Sequence, residues 1–225
     1  MRSPWTTILH RLGIDDLLRR FPDLALRPHR DGQIVLAGDI RFSVRIPKLG
    51  VVEDGFSIEI HIPENFPSTL PSIFERNGRI PKTYHKLTDN SLCLGSPLGL
   101  RLKAIRGKTL VAFIDACVIP YLAGYCIYEK TGRMPFGELA HGTAGLLEEY
   151  KLLTGAASDD ACIGFIECLG LRKRVANKHL CPCGSGRRLG RCHNRKINPL
   201  RGIASRAWYR GTARQLAHSK RSVGV

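Results

Sequence analysis

The spacing of apolar residues changes period twice along the chain. Between residues 6 and 20, Ile8, Leu9, Leu12, Leu17 and Leu18 recur at near-helical intervals, which predicts an amphipathic first helix that Pro22 stops. Gly13 lies inside that helix and weakens it by about 1 kcal/mol relative to alanine. From Gln33 to Phe74 the period falls to two. Gln33–Ala37, Arg41–Ile46 and Phe56–Ile62 are β-rich runs, divided by Gly38-Asp39, Lys48-Leu49-Gly50 and Asp54-Gly55. In the third run Phe56, Ile58, Ile60 and Ile62 face one way, while Ser57, Glu59 and His61 face the other. Half-buried antiparallel strands joined by tight turns alternate in this way. A fourth strand, Ser72–Glu75, follows a segment in which Pro63, Pro67 and Pro71 prevent regular backbone pairing.

Helical spacing returns at Leu98–Leu102 and again over Lys108–Tyr128. There Leu110, Phe113, Ile114, Cys117, Val118 and Tyr121 share a face, and Pro120 must kink or divide the helix. Cys117 and Cys126 belong to this apolar pattern and are expected in the core. Arg133–Gly137 reads as a turn, and Glu138–Leu153 as a last helix burying Leu139, Leu146, Leu147, Tyr150 and Leu153. Thr154–Asp160 is small and polar and reads as a linker. Ala161–Leu171, with Cys162 and Cys168, is a short apolar piece expected to pack against the main domain.

Charge sharpens this division. Of a net +16, residues 1–170 carry 20 Lys and Arg against 19 Asp and Glu, whereas residues 171–225 carry 15 and no acid. A nearly neutral domain is thus followed by a purely basic end. The expected organisation is a main domain at 1–154, a linker with a short apolar segment at 155–177, a cysteine-containing motif at 178–196 and a basic tail at 197–225. No run approaches the 18 to 20 apolar residues of a membrane span, and the N-terminus lacks a signal-peptide core, so a cytoplasmic protein without a membrane partner is expected. Eight cysteines in that compartment are thiols or metal ligands, not disulfides.

One thiol stands apart. Cys93 lies in Leu92-Cys93-Leu94, behind the polar turn Thr88-Asp89-Asn90-Ser91 and eight residues after His85. A structural cysteine packs like a small hydrophobe within a longer apolar run. Cys93 sits instead at the edge of a turn, where a rigid domain would present a nucleophile. Phe56-x-Ile-x-Ile-x-Ile-Pro-x-x-Phe-Pro-x-x-x-Pro-x-Ile-Phe74, a histidine, a polar turn and Leu-Cys-Leu, in that order, resembles the ubiquitin-conjugating enzyme (UBC) family. The likeness spans roughly residues 6–150. It implies an α+β, UBC-like fold of N-terminal helix, four-strand antiparallel meander and C-terminal helices. It also implies that Cys93 carries a ubiquitin-like protein, or another protein C-terminus, as a thioester and passes it to a target. An activating enzyme and the modifier would be encoded elsewhere, as in prokaryotic anti-phage or conjugation operons. Where the family has His-Pro-Asn, this chain has His85-Lys86-Leu87 and a shorter turn, so the oxyanion-binding asparagine is missing. His85 is either the replacement donor or a residue that only hydrogen-bonds the loop backbone; Asn90 and Ser91 are further donor candidates. His141, flanked by small residues, is either a polar residue near Cys93 or a packing histidine. The alternatives to an enzyme are a non-catalytic scaffold of the UBC or RWD type and an adaptor that binds nucleic acid or a ribosome through its basic end.

Cys181-x-Cys183 and Cys192-His193 place four soft or borderline ligands within thirteen residues that hold no apolar core. A tetrahedral Cys3His zinc site satisfies all four and leaves no open position, so the site is structural. The segment resembles the SEC-C zinc motif. Beyond it, Arg201, Arg206, Arg210 and Arg214 lie four or five residues apart, with Trp208 and Tyr209 among them. Helical, they would line one side, as a surface for nucleic acid, a ribosome or an acidic protein, or as a solvated face.

Overall fold

The computed structural model describes residues 4–27, 34–133 and 143–223. The chain is α+β and divides into two compact units, residues 1–137 and 138–225.

The first unit opens with α1 (Pro4–Leu12) and α2 (Ile14–Arg20). Gly13, in the left-handed conformation with φ 69°, splits the expected first helix in two. Four strands follow: β1 (Leu24–Arg27), β2 (Ile34–Ile46), β3 (Gly50–Ile62) and β4 (Ser72–Glu75), all antiparallel, in the order β1-β2-β3-β4. The meander has the expected number of strands but not the expected ones. Of the expected run Gln33–Ala37, Gln33 lies outside the described residues; the rest of it and Arg41–Ile46 are parts of the single strand β2, and Leu24–Arg27 supplies the missing strand. Gly38 was a misleading turn signal. It lies within β2 opposite Leu24, and a Cβ there would sit 2.0 Å from the Asp23 carbonyl oxygen, so glycine admits the close approach of β1. Asp54-Gly55 is likewise inside β3, opposite Phe42 and Arg41. The turn that does form lies between Ile46 and Gly50, with Lys48 and Gly50 at positive φ.

The predicted alternation in β3 holds. Phe56, Ile58, Ile60 and Ile62 are buried and join Leu36, Ile40, Phe42 and Ile73 in one core, while Ser57, Glu59 and His61 are half-buried. The helices that complete this core are α3 (Pro97–Gly107), α4 (Leu110–Phe113), a π turn at Ile114–Val118, and α5 (Ile119–Thr131). Ser96 and Thr109 cap α3 and α4 through their hydroxyls, which accept from Gly99 N at 3.1 Å and Ala112 N at 3.1 Å. Pro120 has no N–H to give the Ala116 carbonyl four residues back. Lys103 Nζ reaches that oxygen at 3.5 Å, and the π turn just ahead of the proline is the division its ring imposes.

Leu110–Thr131 is long and apolar enough to cross a membrane by length and composition, contrary to the sequence expectation. Its apolar residues belong to the core of the first unit: Leu110, Phe113, Ile114, Cys117, Val118, Leu122 and Cys126 are each at most 2% exposed. A core helix covered on most sides is hydrophobic for the same reason as a membrane span.

The second unit is helical: α6 (Thr143–Thr154), α7 (Asp159–Gly170), α8 (Lys173–Ala176), a 3-10 turn at Leu189–Arg191, α9 (Asn194–Ile197), a 3-10 turn at Asn198–Gly202, and α10 (Arg206–Val223). The apolar piece expected to pack against the main domain is α7, the core helix of this unit. Ser158 and two aspartates fit its positive N-terminus. Cys162, Phe165, Ile166 and Leu169 are buried with Tyr209, Ala213 and Leu216 of α10. α10 runs antiparallel to α7: a Cβ on Gly170 would lie 2.7 Å from Arg210 Cγ, and Lys220 Nζ donates to Asp160 at 2.6 Å at the other end. The basic end of the chain is therefore a folded part of the second unit.

Candidate thiol site and metal centre

Residues 84–94 form a narrow loop closed on itself. Lys86 bridges Leu92 in antiparallel fashion, Leu87 N donates to Ser91 O at 2.8 Å, and Asn90, at φ 67°, makes the turn. Asp89 accepts from both the amide and the hydroxyl of Ser91, at 3.0 and 2.6 Å, and these bonds hold its carboxyl below the ordinary carboxylate value. Asn90 is exposed, whereas Ser91 is buried with its hydroxyl committed to Asp89.

Cys93 follows directly on this turn. Its own amide donates to the His85 carbonyl at 2.7 Å, and the preceding Leu92 amide donates to Ile73 O at 2.8 Å, beside β4. The backbone on which the sulfur sits is thus fixed at two successive residues, while the thiol itself is partly exposed. Cys117 and Cys126 differ. Both are buried as expected, and burial pushes their thiols up, Cys126 to about 12 with help from the neighbouring Asp54 carboxylate.

The structure brings His85 to Cys93 through the backbone. His85 has φ 38° and is half-buried, with its ring edge-on to Tyr84 at 5.2 Å. Its carbonyl receives two donors, the Cys93 amide and the Tyr121 hydroxyl at 3.1 Å; Tyr121 also donates to Tyr84 O at 3.1 Å. Tyr121, on α5, was missed as a site residue because its position in the apolar stripe reads as core. Burial and nearby Tyr84 and Cys93 push its phenol well above the ordinary tyrosine value. Tyr84 packs against Tyr121, Tyr125 and Tyr128 with centroids 4.9–5.5 Å apart, so an aromatic cluster backs the loop. Beneath it, Lys86 Nζ lies 3.9 Å from the buried Glu75 carboxylate. His141 lies outside the described residues.

A second network ties β3 to α5. Arg79 grips Asp54 with two guanidinium nitrogens at 2.9 and 2.7 Å, and Glu129 with two bonds at 3.1 and 2.7 Å. Its Cζ lies over the Phe56 ring, 4.5 Å from the centroid. The Arg79 fork, opposing burial, holds the Asp54 carboxyl well below the carboxylate range. Tyr125 OH donates to Arg79 O at 2.5 Å, which joins this network to the aromatic cluster.

In the second unit Cys181, Cys183, Cys192 and His193 converge, with their ligand atoms all within 4.8 Å of one another. Cys181 Sγ lies 3.3 Å and Cys192 Sγ 3.2 Å from His193 Nδ1, and Cys183 Sγ lies 3.6 Å from Cys192 Sγ. A tetrahedral zinc with Zn–S of about 2.3 Å and Zn–N of about 2.0 Å has ligand–ligand edges of about 3.5 to 3.8 Å. The four residues are therefore close to the spacing a metal ion requires. Local geometry explains the convergence. Gly184 and Gly186, at φ 79° and 70°, turn the chain back, and the Cys181 amide donates to Arg187 O at 2.8 Å. Arg187 donates to Cys192 Sγ at 3.5 Å, and His193 packs 5.0 Å from Phe165 of α7. The knuckle seats on α7 at Gly164, where a Cβ would lie 2.8 Å from Pro182 Cβ.

Comparison with known proteins bears on this second unit. The SEC-C motif, a zinc-binding motif, matches residues 180–195, and the cluster just described could hold a metal ion. No curated protein matches the chain.

Two of the arginines expected on an exposed stripe are tied to main-chain carbonyls instead. Arg201 lies outside α10 and donates to Leu171 O at 2.9 Å, Cys168 O at 3.1 Å and Leu169 O at 3.4 Å; burial pulls its guanidinium down from the ordinary value. Arg210 donates to Gly170 O at 2.9 Å. Both satisfy the carbonyls at the C-terminus of α7, where a helix is negative and its last acceptors lack partners.

Proposed function

We propose that the first unit is a UBC-like acyl carrier, with Cys93 as its nucleophile and the metal-bearing second unit as an appended structural module. One observation carries the reading. Cys93 is a partly exposed thiol on a doubly pinned backbone, at the end of a polar turn, while the other two cysteines of the unit are buried. A helical N-terminus, an antiparallel four-strand meander, an irregular stretch bearing the thiol and then long helices come in the order the UBC resemblance calls for.

The chemistry is transthioesterification followed by aminolysis. The Cys93 thiolate attacks the carbonyl of a thioester that joins the modifier's C-terminus to an activating enzyme. A new C–S bond forms at Cys93 as the bond to the activating enzyme's sulfur breaks, and that sulfur leaves as a thiolate. An amine of the target then attacks the Cys93 thioester, the Cys93 thiolate is expelled, and the amine loses a proton as the amide forms. The missing asparagine leaves the oxyanion to other donors. Of the loop's donor candidates, His85 is the one whose main chain is bonded to the Cys93 amide, its carbonyl accepting at 2.7 Å. In the second unit, Cys181, Cys183, Cys192 and His193 would hold one zinc ion, whose part is to clip the knuckle together.

The test is a conjugation assay with an activating enzyme, a ubiquitin-like protein and ATP supplied by the genomic neighbours of this chain. An adduct that thiol reagents cleave, lost in Cys93→Ala and kept in Cys117→Ala, supports the reading. No adduct, or one that persists in Cys93→Ala, overturns it and leaves a non-catalytic scaffold.

A further inference from the structure

The second unit is strongly polarised. Its carboxylates all lie in residues 138–170, and none occurs in 171–225. At the start of α7, Asp159 and Asp160 are engaged by Lys151 Nζ at 2.9 Å and Lys220 Nζ at 2.6 Å. At the other end of α7 the charge is reversed. Arg172, Lys173 and Arg174 are all exposed immediately after it, and α10 brings Arg206 and Arg210 against Gly170. Glu167 is the one carboxylate on the last turn of α7.

The basic surface continues onto the metal knuckle. Asn177, just after α8, accepts from Gly190 N at 3.2 Å, and a Cβ on Gly190 would lie 3.1 Å from Asn177 Cβ. This contact sets the 3-10 turn at Leu189–Arg191 beside Lys178, while Leu180 bridges Arg188. Lys178, Arg187, Arg188 and Arg191 are exposed in consequence. The cations are carried on rigid supports: buried Ala176 and Leu189, the four-ligand cluster, and the helix pair locked at Gly170.

We infer that this face binds the phosphodiester backbone of a nucleic acid. Arginines outnumber lysines in 171–225 by 11 to 4, and a guanidinium fork matches the paired oxygens of a phosphate. A face of one charge sign tracks a uniform polyanion well. It offers a protein partner neither the mixed charges that set register nor an apolar centre, since the large exposed apolar residues here are only Val175 and Leu180 among the described ones. The inference stands apart from the thioester reading and uses no residue of the first unit.

The full chain is titrated with fluorescent single-stranded RNA, single-stranded DNA and duplex DNA of one length, between 50 and 200 mM salt. Poly-glutamate of matched charge serves as the competitor. With about six duplex phosphates engaged, affinity falls on the order of 1000-fold across that range. Arg172→Gln/Lys173→Gln/Arg174→Gln lowers the slope of log affinity against log salt by about 2 to 3 and weakens binding at least tenfold. Arg188→Gln/Arg191→Gln, with metal content and circular dichroism unchanged, acts in the same direction. Cys93→Ala binds like the parent, which separates this outcome from any failure of the enzyme reading. The ranking of the three nucleic acids identifies the natural source. Binding insensitive to salt, binding by both multiple variants equal to the parent's, or displacement by poly-glutamate as effective as by unlabelled nucleic acid overturns the inference.

Discussion

Arg79→Met removes the fork that joins β3 to α5 while keeping most of the apolar stem that lies over Phe56. Four hydrogen bonds to two carboxylates disappear. A hydrogen bond to a charged group is worth about 1.5 to 3 kcal/mol when shielded from water. The side chain of Asp54 is 24% exposed and that of Glu129 36%. The Glu129 arm is therefore worth no more than a surface pair, about 0.5 kcal/mol, and the Asp54 arm carries most of the effect. Asp54 keeps its bonds with Gly55 N at 2.7 Å and Cys126 Sγ at 3.3 Å, so its charge is not stranded. The expected loss is about 2 kcal/mol at pH 7, read from urea denaturation as a lower midpoint at unchanged slope. The pH dependence is the sharper signature. Asp54 is held below its unfolded value, so its contribution is complete above about pH 4 and fades as pH falls towards the folded value. The gap between parent and variant should shrink by on the order of 1 kcal/mol at pH 3. A gap below about 0.5 kcal/mol at pH 7, or one of equal size at pH 7 and pH 3, would refute the assignment of this network as a charge clamp.

Other consequences are as direct. Native mass spectrometry should find one metal ion per chain, absent after strong chelation and in Cys183→Ser, with a lower melting temperature in both; equal stability with and without the ion would deny it a folding role. In the reduced, metal-loaded protein a thiol reagent should modify Cys93 well before Cys117, Cys126, Cys162 or Cys168, all of which are buried, and Cys93→Ala should abolish the fast phase. Tyr121→Phe deletes the donor to two loop carbonyls and should cost about 1 to 2 kcal/mol, with faster amide exchange at Cys93; unchanged exchange would mean that the His85 carbonyl does not depend on Tyr121. Gly164→Ala forces a Cβ within 2.8 Å of the Pro182 ring, which has little freedom to move, and should destabilise the knuckle by about 1 to 3 kcal/mol, seen as easier chelation of its metal.

Periodicity made the sheet's inward face legible, since burial on one side of β3 leaves a two-residue repeat that tertiary context rarely hides. The strand boundaries were not legible. Gly38-Asp39 and Asp54-Gly55 have the composition of turns, yet both lie inside strands. Gly38 is needed by the chain that packs across it, and Asp54 by the arginine that binds it, and neither partner is adjacent in sequence. The metal cluster could be read because its ligands lie within thirteen residues and local turns bring them together. Tyr121 could not, because its role depends on carbonyls 36 and 37 residues away. The basic end misled for a related reason. A charge run reads as solvated, but Arg201 and Arg210 serve acceptors at the end of α7 that only the folded unit places beside them.

The proposal that Cys93 carries an acyl group is tested most directly by trapping it in place. Cys93→Lys replaces the labile thioester with an isopeptide, so the variant should accumulate a stable adduct when given the activating enzyme, the ubiquitin-like protein and ATP. Peptide mapping should find the modifier's C-terminus joined to the side chain at position 93. Attachment at other lysines with position 93 unmodified, or no adduct with partners shown to be active, would contradict the account.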